Sequence, residues 1–165
     1  MPIVLIGVPG AGKSTVGQLL AGKLNRDFVD TDQVIEQQAG KSISDIFIQD
    51  GEPAFRAHER KVVAQALDNE NCVISVGGGA LIDADTRRLV ASQDCVWLQA
   101  GLSQAVDRVG MNKNRPLLLG NVRGQLADLM AAREPLYIEC AKHVVDTNNM
   151  TPEQVVEVIV EMVGE

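Results

Sequence analysis

Residues 7–14 read Gly7-Val8-Pro9-Gly10-Ala11-Gly12-Lys13-Ser14 and match the pattern G-x-x-x-x-G-K-[ST] at every fixed position. Few short patterns restrict a fold as much, because this phosphate-binding loop needs a strand before it and a helix behind it. Both signals are present. Ile3-Val4-Leu5-Ile6 is an apolar run, and Val16, Leu19, Leu20 and Leu24 recur at helical spacing after the motif. The glycines let backbone N–H groups turn inward onto phosphate oxygens, and the N-terminus of the next helix favours an anion. Lys13 is placed to reach the β- and γ-phosphates of a nucleotide, and the Ser14 hydroxyl to bind Mg²⁺. A glycine turn with a purely structural duty needs neither the lysine nor the serine.

The same alternation continues along the chain. Phe28-Val29, Cys72-Val73-Ile74, Cys95-Val96-Trp97-Leu98 and Val144-Val145 are short and rich in β-branched residues, and helical segments such as Phe55, Val62, Val63, Ala66, Leu67 lie between them. Five short strands separated by helices predict an α/β fold with a mostly parallel sheet covered on both faces. The last helix carries a capping box, Thr151 with Gln154, with Pro152 at its first position. Its apolar face is Val155, Val156, Ile159, Met162 and Val163. No linker, repeat or low-complexity tract divides residues 1–165, so a single domain is expected. One stretch breaks the pattern. Gly110 to Gly124 (GMNKNRPLLLGNVRG) combines glycines, asparagines and cations, and is expected to be a mobile loop acting as a lid.

Composition narrows the partners. The 22 acidic and 15 basic residues leave a net charge of −7, which repels a nucleic-acid backbone. Five aromatic residues are too few for a base-stacking strip. An anionic ligand must therefore be held by a local cluster of cations. Cys72, Cys95 and Cys140 have no metal-ligand spacing and lie in or near apolar runs, which points to buried thiols in a reducing compartment. Met1 to Val8 lacks the basic start of a signal peptide, and no apolar stretch approaches a membrane span. The chain is read as a cytoplasmic monomer.

A carboxylate for Mg²⁺ is missing where the third strand ends, since Ser75-Val76-Gly77-Gly78-Gly79 follows Ile74. Asp30-Thr31-Asp32 follows the Phe28-Val29 run, at the carboxyl edge where open α/β sheets bind ligands. Asp30 can support the metal and Asp32 can face an acceptor hydroxyl; helix capping explains the same residues equally simply. Gly77, Gly78 and Gly79 allow a ligand to sit against backbone N–H groups, or form only a turn. Arg56 and Glu59, three apart on a helix, share a face, either as a guanidinium fixed for a small carboxylate or as a solvated surface pair. Arg115 and Arg133 are further anion-binding candidates. Asn112-Lys113-Asn114 half matches a guanine-binding motif, but Arg115 replaces its aspartate, which excludes a GTPase. His58 and His143 have no partner at metal-ligand spacing.

Taken together, these motifs resemble the shikimate kinase family over Ile3 to about Val160. The resemblance is carried by Gly7–Thr15, Asp30–Asp32, Asp50–Glu59 (D-G-E-x-x-F-R-x-x-E), Ser75–Gly79, Arg115–Leu118, Arg133–Tyr137 and Asp146–Asn148. It implies a P-loop NTPase three-layer sandwich, with a five-stranded parallel sheet of order 2-3-1-4-5, a substrate-binding region near residues 31–60 and a lid near 110–124. It implies Mg²⁺-dependent transfer of the ATP γ-phosphoryl to the 3-hydroxyl of shikimate, a step of chorismate and aromatic amino-acid synthesis. By position, Gly10, Ala11, Gly12, Lys13, Ser14 and Thr15 would cradle the phosphates. Ser14 would ligate Mg²⁺ directly, with Asp30 and Ser75 acting through water. Asp32 would bind the shikimate hydroxyls as candidate base, and Arg56 and Arg133 the carboxylate. Gly77–Gly79 would line that pocket, and Glu59 would orient Arg56. Arg115 would come from the lid onto the transferring phosphate, and Arg108 and Pro152 would flank the adenine. Met150 departs from relatives with an arginine near the adenine, and Met111–Asn114 from known lids. A nucleoside monophosphate kinase and a nucleotide-binding regulatory module without turnover are the alternatives.

Overall fold

The computed structural model describes residues 1–110 and 121–164. Five strands, β1 (Ile3–Ile6), β2 (Asp27–Asp30), β3 (Cys72–Ser75), β4 (Asp94–Gln99) and β5 (His143–Asp146), form one sheet of order β2-β3-β1-β4-β5. Every pairing is parallel. β1 and β3 are buried along their whole length, as expected for central strands covered on both faces. Helices supply the crossovers: α1 (Lys13–Leu24), α2 (Thr31–Ala39), α3 (Ile43–Gln49), α4 (Glu52–Leu67), α5 (Ala84–Ala91), α6 (Leu102–Gly110), α7 (Val122–Cys140) and α8 (Pro152–Val163). The expected strand order and fold class are those observed.

Two apolar clusters organise the interior. The larger one surrounds the sheet and includes Leu5, Ile74, Val96, Leu98, Leu126 and Ile159. A smaller one, Ile35, Ile46, Phe55 and Val62, lies under α2, α3 and the start of α4. The flap of helices inserted between β2 and β3 thus has its own core. The capping box of α8 forms, with Gln154 N–H donating to Thr151 Oγ1 at 3.2 Å and Thr151 N–H to Gln154 Oε1 at 2.8 Å. All three cysteines are free and buried.

Three local expectations need correction. Leu19, placed on the buried face of α1 by its spacing, is 40% exposed, because α1 meets the sheet through Val16, Leu20 and Ala21. Met162 is likewise 37% exposed at the outer end of α8. The irregular segment expected from Gly110 to Gly124 is helical at both of its described ends: Gly110 ends α6, and α7 starts at Val122, where Asn121 accepts the Gly124 N–H at 3.1 Å. The core of the expected lid, with Arg115, lies outside the described residues.

Candidate active site

The P-loop leaves β1 and enters α1 through Gly12, whose φ of 91° a side chain would resist. No side chain caps α1 and its first turn has no acidic residue, so its N-terminal N–H groups face an anion site without competition. Lys13 Nζ donates to the carbonyls of Gly7 at 2.7 Å and Val8 at 3.2 Å, which holds the ammonium against the loop. Ser14 and Thr15 are exposed at the start of the helix. Beyond them, Gly12, Thr15, Met150, Pro152 and Val155 line a cavity of about 110 Å³. Pro152, which the resemblance assigns to the adenine, lines this cavity. Met150 offers the same cavity a thioether in place of a cation. The side chain of Arg108 lies outside the described residues.

The two carboxylate oxygens of Asp30 have different partners. Its Oδ1 caps α2 by accepting the N–H groups of Asp32 at 3.0 Å and Gln33 at 3.4 Å. Its Oδ2 accepts the Ser14 hydroxyl at 2.7 Å. Ser75 is paired with Asp30 in the β2–β3 register and is buried beside it. The hydroxyl–carboxylate pair is a hard oxygen donor set at the mouth of a phosphate loop. Among the described residues no group of three or more His, Cys, Asp or Glu is arranged to hold a metal. The Ser14–Asp30 oxygen pair fits Mg²⁺, which takes one or two protein oxygens together with water and phosphate.

The glycine ribbon after β3 has a charged side chain over each residue. A Cβ on Gly77 would lie 2.6 Å from Asp32 Oδ1 and 3.0 Å from Glu59 Oε2. On Gly78 it would lie 3.1 Å from an Arg133 guanidinium nitrogen and 3.2 Å from Pro9 Cδ. On Gly79 it would lie 2.5 and 2.6 Å from the two terminal nitrogens of Arg56. Glycine is needed here for close approach. Two carboxylates and two guanidiniums from α2, α4 and α7 thus meet beside the P-loop, although they are far apart in the chain.

The Arg56–Glu59 pair is no surface bridge. Arg56 Nη1 and Glu59 Oε1 are 2.7 Å apart, with side chains 17% and 4% exposed. Glu52 holds the other side of the guanidinium, from Nη2 at 3.3 Å, and the Phe55 ring lies 5.2 Å beneath it. Arg133 is buried on α7, its charge acting on the Tyr137 hydroxyl one turn on. Sequence reasoning missed Thr31 and Tyr137. Thr31 read as a capping residue, and Pro135, which sits inside α7, hid the one-turn relation between Arg133 and Tyr137.

Burial pushes the Glu59 carboxyl up from 4.5 to about 7, the Arg56 guanidinium opposing the shift and Asp32 adding to it. The folded state then keeps a proton that the unfolded chain releases near pH 4.5. The stabilisation is complete below that pH and is lost as pH rises through about 7, a difference of roughly 3 kcal/mol at most. Glu59→Gln should remove this dependence. The gap in Tm between the variant and the unaltered chain should widen in favour of the variant from pH 5 to 7.5. A constant gap across that range contradicts the assignment.

Comparison with known proteins agrees with this geometry. The model of the family described as shikimate kinase matches residues 9–164. The chain belongs to the shikimate kinase family. A shikimate kinase of Thermobifida fusca is 49% identical over 156 residues, covering 94% of this chain and 91% of the relative. One from Streptomyces coelicolor is 47% identical, covering 98% and 94%. A solved shikimate kinase from Acinetobacter baumannii in complex with shikimate superposes with a TM-score of 0.95 at 35% identity, covering 98% of this chain and 92% of that one. A deoxyadenosine kinase from M. mycoides reaches 0.66 at 16% identity, a likeness of fold alone. The shikimate kinase fold is thus the P-loop kinase sandwich that the sheet order describes.

Proposed function

We propose that this chain transfers the γ-phosphoryl of ATP to the 3-hydroxyl of shikimate, giving shikimate 3-phosphate and ADP. The observation that carries this reading is the convergence of Asp32, Arg56 and Arg133 on the Gly77–Gly79 ribbon, with Pro9 of the P-loop against the same glycines. A small hydroxylated carboxylate fits that charge pattern: two cations for its carboxylate and an anion for its hydroxyls. Membership of the family points to the same acceptor.

The nucleotide binds with its phosphates on the amides of Gly10–Thr15 and its base against Pro152. Lys13 exchanges the carbonyls of Gly7 and Val8 for β- and γ-phosphate oxygens. Ser14 and Asp30, with Ser75 behind them, would hold Mg²⁺, which would supply neutralisation of the phosphate charge. Arg56, oriented by Glu59 and Glu52, and Arg133 hold the acceptor carboxylate. Asp32 directs the 3-hydroxyl at the γ-phosphorus and takes its proton as the bond forms. Arg115 is assigned to the transferring phosphoryl group, whose charge spreads over its equatorial oxygens. Residues 31–60 act as the acceptor-binding region and 110–124 as the lid, in one domain. No described helix is long and apolar enough to cross a membrane. A cytoplasmic location is supported by the three free cysteines.

ADP release measured with shikimate, with other hydroxy acids and with AMP or CMP tests the reading. Turnover with shikimate and none with the nucleotides is expected. Release with AMP or CMP but not shikimate would make the chain a nucleotide kinase, and none with any acceptor a binding module. Asp30→Asn keeps the shape of the metal site but removes its charge. It should raise the Mg²⁺ requirement and lower kcat by about tenfold, while shikimate affinity stays nearly intact. Lost shikimate binding with normal Mg²⁺ activation in titration calorimetry would reassign Asp30 to the acceptor.

A further inference from the structure

We propose that the buried hydroxyls of Thr31 and Tyr137 are positioning groups that pin the Gly77–Gly79 ribbon and so set the spacing between Asp32 and the two arginines. The inference rests on the reading of that ribbon as the shikimate site. Three consecutive glycines have no side chains to anchor them and the largest conformational freedom of any residue. Charged groups nevertheless stand over all three at contact distance, so movement of a few tenths of an ångström alters the site. The ribbon's position must therefore be imposed from outside.

Thr31 is completely buried and lies between the two aspartates. β2 ends at Asp30, in register with Ser75, and the backbone then leaves the sheet as α2. A strand continuing there would offer β3 alternate N–H and C=O groups. The Thr31 hydroxyl supplies both functions: it donates to the Ser75 carbonyl at 3.3 Å and accepts the Gly77 N–H at 3.2 Å. Between them, the Val76 N–H donates to the Leu5 carbonyl of β1 at 3.2 Å. Thr31 thus extends the β2–β3 ladder by a side chain, and the same residue starts the turn that places Asp32. On the other side, the Tyr137 hydroxyl donates to the Gly78 carbonyl at 3.2 Å and lies in the field of the Arg133 guanidinium, which also stands over Gly78. The Trp97 ring, 5.6 Å away, fixes the Tyr137 ring. One hydroxyl ties the ribbon to the aspartate segment and the other ties it to the helix that carries Arg133.

Thr31→Val, Thr31→Ser and Tyr137→Phe in the full chain separate positioning from packing. Titration calorimetry with shikimate and, separately, with MgADP reads the effect, with thermal unfolding alongside. Thr31→Val and Tyr137→Phe should each weaken shikimate by about tenfold and change MgADP by less than about twofold. The bonds of both hydroxyls go to main-chain groups of Ser75, Gly77 and Gly78, so neither the P-loop nor the Ser75 hydroxyl assigned to Mg²⁺ is touched. Thr31→Ser keeps the hydroxyl and should stay within about threefold of the unaltered chain for both ligands. The proposal is overturned by unchanged shikimate affinity in Thr31→Val and Tyr137→Phe, or by equal losses for shikimate and MgADP. It is also overturned if Thr31→Ser loses as much as Thr31→Val, since packing would then be the cause. Failure of the underlying functional reading shows elsewhere, as an unaltered chain that binds MgADP but not shikimate.

Discussion

Asp32→Asn is expected to lower kcat by about 10²–10⁴-fold, the range for removing a positioned general base. Shikimate affinity should change only a few-fold. The substitution keeps the shape of the side chain and one acceptor oxygen, so it separates two roles for this carboxylate. If Asp32 only orients the 3-hydroxyl, the amide still accepts its hydrogen bond and kcat stays within about tenfold. If it takes the proton, the amide cannot, and the rate falls although the acceptor is held. Surroundings add to the effect. Asp32 Oδ1 lies 2.6 Å and Glu59 Oε2 3.0 Å from the place a Gly77 Cβ would occupy, so two carboxyls share one small volume. Burial keeps a proton on Glu59 up to about pH 7. Below that pH, the carboxyl beside Asp32 is neutral. Single-turnover rates with shikimate binding measured in parallel decide the matter; an unchanged rate in Asp32→Asn removes Asp32 from the chemical step.

The second large effect concerns the arginines. Arg56→Ala and Arg133→Ala should each raise the shikimate Kd by roughly ten- to a hundredfold, the worth of one charge-assisted interaction of about 1.5–3 kcal/mol. The two losses should differ in kind. Arg133 is buried and its charge acts on the Tyr137 hydroxyl, so its removal also releases the ribbon at Gly78. Removing Arg56 leaves Glu59 buried without the cation that opposes its protonation, so the Glu59 carboxyl should move further up. Arg→Lys should recover only part of the affinity at either position, because a point charge cannot reproduce the planar fork. MgADP affinity should hold in all four variants. Normal shikimate binding in both alanine variants excludes the clamp.

What could be read from residues alone was local. The P-loop announced itself through eight consecutive residues, and the strands and helices through periodicities that repeat within one or two turns. The Thr151 capping box was legible because its partners are three residues apart. The strand order was not in the pattern: it came from the resemblance, and the sheet has that order. Arg56–Glu59 could be paired from helical spacing, but its burial could not, since that depends on the glycine ribbon of another element closing over it. Asp30 was legible as a cap or as a metal carboxylate; only the tertiary structure showed that the capping carboxylate also accepts the Ser14 hydroxyl, so the two readings do not compete. Thr31 and Tyr137 were invisible as site residues, because the main-chain groups they bond lie 44 to 59 residues away in the chain. Sequence therefore determined which elements form and which chemistry they carry, since propensity, capping and motif spacing act over a few bonds. Tertiary structure decided which charged groups meet, because strand register and right-handed crossovers alone bring the ends of β1, β2 and β3 and the inner face of α7 to one point.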